Sequence, residues 1–264
     1  MKFTKTLAAA AVLAAISTPA LANIKGVADG TSEIFLVVGD NNGSFLLDTG
    51  VSLNSLLASA NATGTVFSRA VAGAAWTSYL ASDTNIFDGS PSTTTGTRWA
   101  LFVYDGVGNF DPTGHKVITT VGAGVTPASI TFDGDTLIGT YSINGNIAQQ
   151  ANGTGTHTGL PSVNGSSFNP KGTQGYFGND FFTFGTANTK IGNAVGVSSR
   201  LVFINPSDPD DGTLPVKASY LGQLQASFDG TTLVVAAAVP EPTTYAMLIA
   251  GLAAVGFVAR RRAS

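Results

Sequence analysis

Few side chains in this sequence are equipped for chemistry. Two histidines are present, His115 and His157, and neither has a partner at a short metal-ligand spacing. A Gly-x-Ser-x-Gly elbow, a phosphate loop and a dinucleotide fingerprint are all missing. A histidine-based hydrolase would need His115 or His157 beside a carboxylate and a hydroxyl, assembled in space rather than in sequence. The densest set of hard oxygen ligands is Asp208, Asp210 and Asp211, in Asn205-Pro206-Ser207-Asp208-Pro209-Asp210-Asp211-Gly212. Three loop carboxylates of this kind suit Ca²⁺, although the twelve-residue EF-hand pattern is not followed. A solvated acidic turn is the alternative reading.

Aromatic residues offer a second kind of chemistry. Trp76 and Tyr79 stand three apart, so they share a face of any helix that includes them. Exposed, they would form a stacking platform for a glycan; buried, they would pack a helix onto a sheet. Trp99 lies in the apolar run Trp99-Ala100-Leu101-Phe102-Val103 and reads as core.

These residues must be positioned by short strands. Residues 32–38, 44–48, 97–105, 116–121, 199–204, 217–222, 224–228 and 231–235 are β-branched or aromatic and bounded by turn residues. Gly39 to Gly43 is a hairpin turn. Ser52 is placed to cap a short helix, and a second helix is expected near Ala74 to Ser82. Residues 139–180, dense in Gly, Asn, Ser and Thr, read as a long loop, short strands or an insertion. Long helical periodicity is absent between the ends of the chain. The expected fold is therefore mainly β, an antiparallel sandwich or barrel-like domain.

Both ends differ from this body. Lys2 and Lys5, the apolar run Leu7 to Ile16 and the small-x-small site Ala20-Leu21-Ala22 make residues 1–22 a secretory signal peptide. At the other end, Pro240-Glu241-Pro242 precedes an uncharged stretch, 246–259, and then Arg260-Arg261-Arg262. As a helix, 246–259 would reach about 21 Å, a short membrane span with arginines held on the cytoplasmic side.

Of the 264 residues, 11% are charged, 32 are glycine and none is cysteine. Disulfide frameworks and thiolate chemistry are thereby excluded. Residues 23–239 hold 8 Lys or Arg against 15 Asp or Glu, a net charge of −7. Nucleic acid is not expected as a partner of so acidic a region.

The order Pro240-Glu241-Pro242, apolar helix, Arg260-Arg261-Arg262 resembles the PEP-CTERM sorting signal of Gram-negative bacteria that often make exopolysaccharide. The resemblance covers about the last tenth of the chain. It implies that an exosortase recognises Pro240, Glu241 and Pro242 and processes the tail. It also implies that 246–259 enters the inner membrane transiently and that Arg260, Arg261 and Arg262 act as the cytoplasmic retention signal. The general secretion machinery and exosortase are then the expected partners. Three segments are expected: a signal peptide 1–22, an exported β-rich domain 23–239, and a sorting tail 240–264. The expected protein is a non-enzymatic surface or matrix component associated with exopolysaccharide or biofilm, without a cofactor unless Ca²⁺ binds. A carbohydrate-binding module and a secreted hydrolase are the alternatives.

Overall fold

The computed structural model describes residues 32–89, 96–105, 116–130, 165–173, 176, 190–205, 217–238, 247, 250–253 and 255. Its first strand, β1 (Glu33–Gly39), has no polar residue from Ile34 to Val38. A strand of that kind must be buried on both faces, and these five residues are at most 1% exposed. The remaining elements follow as β2 (Gly43–Ser52), α1 (Leu53–Ala58), β3 (Thr65–Ala70), α2 (Ala74–Ser82), β4 (Arg98–Asp105), β5 (Lys116–Thr120), β6 (Ser166–Pro170), β7 (Ser199–Asn205), β8 (Lys217–Phe228) and β9 (Thr232–Ala237). Ser52 caps α1 as expected, accepting from the Ser55 amide.

Among the described residues, nine strands form one sheet in the order β3-β9-β8-β7-β5-β4-β1-β2-β6. Every neighbouring pair is antiparallel. The sheet is a curled half-barrel rather than the two packed sheets of a sandwich. Ring contacts measure the curl. Five steps of about 4.8 Å would put β8 roughly 24 Å from β2 in a flat sheet. The Trp76 ring nevertheless lies 4.9 Å from Phe45 on β2 and 5.8 Å from Phe228 on β8. The seam between the margins is narrower still. Arg69 on β3 donates from Nε to the Thr49 carbonyl on β2, at 2.6 Å, although seven strand steps separate them along the sheet.

A bulge lets the sheet turn. Residues 217–222 and 224–228 were expected as two strands, but they are one, β8, bent at Gly222. Across the bend, Val202 pairs with Tyr220 while Arg200 pairs with Gln225. The surplus residues in β8 increase its local twist. Arg200 fastens the corner, donating from Nη2 to the Gly222 carbonyl at 2.7 Å and lying 3.8 Å over the Tyr220 ring. Gly222 has φ +55, and a Cβ there would come within 1.9 Å of the Ala60 carbonyl oxygen. Glycine alone fits that approach.

Alternation along the strands fills two layers. Ile34, Leu36, Val38, Phe45, Trp99, Leu101, Phe228, Leu233 and Val235 point inward with α1 and α2. Phe35, Val37, Leu46, Phe102, Tyr104, Val117, Val202 and Ile204 form the outer layer with Val121, Ile130 and Ile191. Of the two outermost strands, β3 is not among those expected from sequence, and β6 falls in 139–180, where short strands are one of three readings.

Candidate functional sites

Helix α2 lies inside the curl, against β2 and β6. Its face is set by Trp76 and Tyr79, whose rings stack at 5.3 Å. Tyr79 also meets Phe168 of β6 edge-on at 6.1 Å. Trp76 is 5% exposed and Tyr79 0%. The glycan platform expected as one reading of these two residues is therefore corrected. Their rings fill the interior of the half-barrel, where an aromatic side chain removes its large apolar area from water. Trp99 is buried as expected, and its indole N–H donates to the Ala194 carbonyl at 2.9 Å.

Beside this aromatic plug sits a polar group that sequence reasoning missed. Asp40 opens the β1–β2 turn and is 3% exposed. Its Oδ1 accepts from the amides of Asn42, at 2.6 Å, and Gly43, at 3.0 Å. Its Oδ2 accepts from the Tyr79 hydroxyl at 3.3 Å. Asp83, 7% exposed, follows α2 directly. It accepts from the Asn85 amide and from the Thr97 hydroxyl. Burial pushes the Asp40 carboxyl up to about 6; the two amides pull it down, and the neighbouring Asp83 raises it further. Burial, reinforced by the Asp40 charge, pushes the Tyr79 phenol well above its ordinary range. The sequence signal was present in outline, since aspartate is a preferred residue at the start of a tight turn. The meeting of Asp40 with Asp83 depends on where α2 lies.

A third buried carboxyl, Asp48, stands near the seam. It is pushed up to about 6 by burial first and by Glu33, while the Gly50 amide and Arg69 oppose the shift.

His115, His157, Asp208, Asp210 and Asp211 lie outside the described residues. Among the described residues, no group of three or more His, Asp or Glu gathers around a metal-sized space.

The sheet ends just before the tail. The Ala237 amide donates to Gly64 at 2.8 Å and the Ala238 amide to Gln223 at 2.7 Å. Beyond them, residues 247, 250–253 and 255 are helical and exposed. Among the described residues, no helix is long and apolar enough to cross a membrane. The rest of the expected span 246–259 lies outside them, as do residues 1–22, Pro240, Glu241, Pro242 and the three arginines.

A curled antiparallel sheet followed by a Pro-Glu-Pro box and a basic terminus defines a domain carrying a C-terminal sorting signal. Residues 238–262 match the family model of the PEP-CTERM protein-sorting motif. The chain thus carries this motif, which implies export, processing by an exosortase and sorting to the cell surface. No curated protein and no solved structure matches the chain.

Proposed function

We propose that this chain is a non-enzymatic cell-surface or extracellular-matrix protein, delivered by its signal peptide and sorting tail and associated with exopolysaccharide. The observation that carries the reading is the junction at Ala238. The last backbone bonds of the sheet are made at Ala237 and Ala238, where the sorting motif begins. Processing in the tail would therefore leave every described strand in place. The charge-poor region 23–239 presents Ser, Thr, Asn and Gly for weak polar contacts with a hydrated polymer. A carbohydrate module based on Trp76 and Tyr79 is not carried forward, since both rings are interior.

Sorting is tested by replacing Pro240, Glu241 and Pro242 with alanine in an exosortase-bearing host. The altered chain should stay unprocessed in the inner-membrane fraction; normal processing and surface delivery would overturn the assignment. Polymer association is tested by fractionating the surface protein from strains with and without exopolysaccharide, with Ca²⁺ supplied or chelated. Retention that is identical in all four arms would remove both the polymer and the ion at Asp208, Asp210 and Asp211 from the proposal.

A further inference from the structure

Strand β6 forms the margin of the sheet beside β2, and its pleat divides its side chains between two faces. Phe168 points inward, where its ring meets Tyr79 of α2. Ser167 and Asn169 therefore point outward, opposite Leu46 and Ser44 of β2. Both are 0% exposed. Among the described residues, no group bonds to the Ser167 hydroxyl, or to either polar atom of the Asn169 carboxamide, Oδ1 and Nδ2. We propose that Ser167 and Asn169 hold a bound water molecule between them, a structural water site on the outer face of β6.

A polar atom taken out of water and left without a partner forfeits its hydration for nothing, so folded chains rarely leave one in that state. Here three such atoms, on two side chains two residues apart, share one face of one strand. Turning the carboxamide over does not relieve them, since neither of its ends has a partner.

The spacing suits a single water. Residues i and i+2 of a strand stand about 6.6 Å apart at Cα, twice the ~3.3 Å rise. A water bonded at about 2.8 Å on each side spans about 5.6 Å. At the Asn169 end it donates to Oδ1 or accepts from Nδ2. At the Ser167 end it takes the opposite role, because a hydroxyl both donates and accepts.

The chemistry of the surroundings selects the occupant. Neither side chain is charged, so an ion would find nothing to offset its own desolvation. Leu46, facing Ser167, belongs to the apolar outer layer and offers its neighbour no hydrogen bond. With both side chains fully covered, a sugar ring has no approach to them. What fits is a neutral molecule of water size that donates and accepts. Such a site also accounts for the burial of β6, whose one apolar residue, Phe168, serves the inner face alone.

The test is rotating-frame NMR cross-relaxation between water and the side-chain amides of the full chain, recorded near pH 5 to slow chemical exchange. The Asn169 Nδ2 protons should show a cross-peak to water with the sign of a long-lived bound molecule, opposite to that of exchange. Ser167→Ala removes one end of the bridge. The cross-peak should then be lost, and the folding equilibrium constant from urea unfolding should fall roughly five- to tenfold, the worth of one hydrogen bond. A parent chain without the cross-peak at Asn169 would overturn the site. So would a cross-peak that persists in S167A, which would put the water on Asn169 alone. An S167A chain as stable as the parent or more so would overturn it too, because deleting a hydroxyl that had no partner gives that result. Should S167A not fold, the parent spectrum decides by the presence or absence of the Asn169 cross-peak.

Discussion

Replacing Trp76 by alanine should remove the core contact that bridges the curl. The ring is 5% exposed and touches Tyr79, Phe45 and Phe228, on three different elements. Truncating a buried aromatic to alanine costs about 3–5 kcal/mol, through lost transfer energy and the cavity left behind. Because Phe45 and Phe228 are far apart along the sheet, little can collapse into the gap, so about 4 kcal/mol is expected. With a urea slope near 2 kcal/mol per M, the unfolding midpoint should fall by about 2 M. Trp76→Leu retains apolar volume and should lose about half as much. Urea unfolding of the full chain, read by far-UV circular dichroism, avoids dependence on the two tryptophans themselves. A W76A loss under about 1 kcal/mol would refute the interior placement. Loss of polysaccharide retention at unchanged stability would do the same, since it would put the ring at the surface.

Gly222→Ala should cost about 2–3 kcal/mol, because its positive φ and the Ala60 carbonyl must both yield; an unchanged urea midpoint would show that the corner relaxes freely. Asp48, like Asp40, binds its proton more tightly in the fold, so its contribution declines as pH rises from 3.8 to about 6, by at most about 3 kcal/mol. Asp48→Asn should flatten that part of the stability profile in urea titrations at pH 4.5, 5.5 and 7. A profile of unchanged slope would assign the dependence elsewhere.

Much of the strand content was readable because burial and β propensity coincide. β1, β4 and β7 are apolar runs, and their limits fall within a residue or two of those read from sequence. α2 was placed at Ala74–Ser82, as found, yet its aromatic pair admitted two readings that only burial separates. β6 was hidden because Ser166–Pro170 has one apolar residue, Phe168, and exists as a strand through its pairing with β2. β3 was hidden for a related reason: its partner, β9, is the most distant strand in the sequence, and local pattern does not register that contact. The same limitation left sandwich and barrel unresolved, since strand order follows from long-range pairing. Asp40 and Asp83 escaped notice because each looks like an ordinary turn residue until α2 brings them together.

The position of β9 between β3 and β8 has a consequence for timing. Phe67 pairs with Val235, so an early strand waits for almost the last residue before the tail. A chain threading outward from its N-terminus leaves β3 without its partner until β9 has passed. On the export route proposed above, closure of the half-barrel would be deferred until β9 has followed, with the sorting motif directly behind it. A long-range contact that slows folding would then keep the polypeptide threadable for as long as threading lasts.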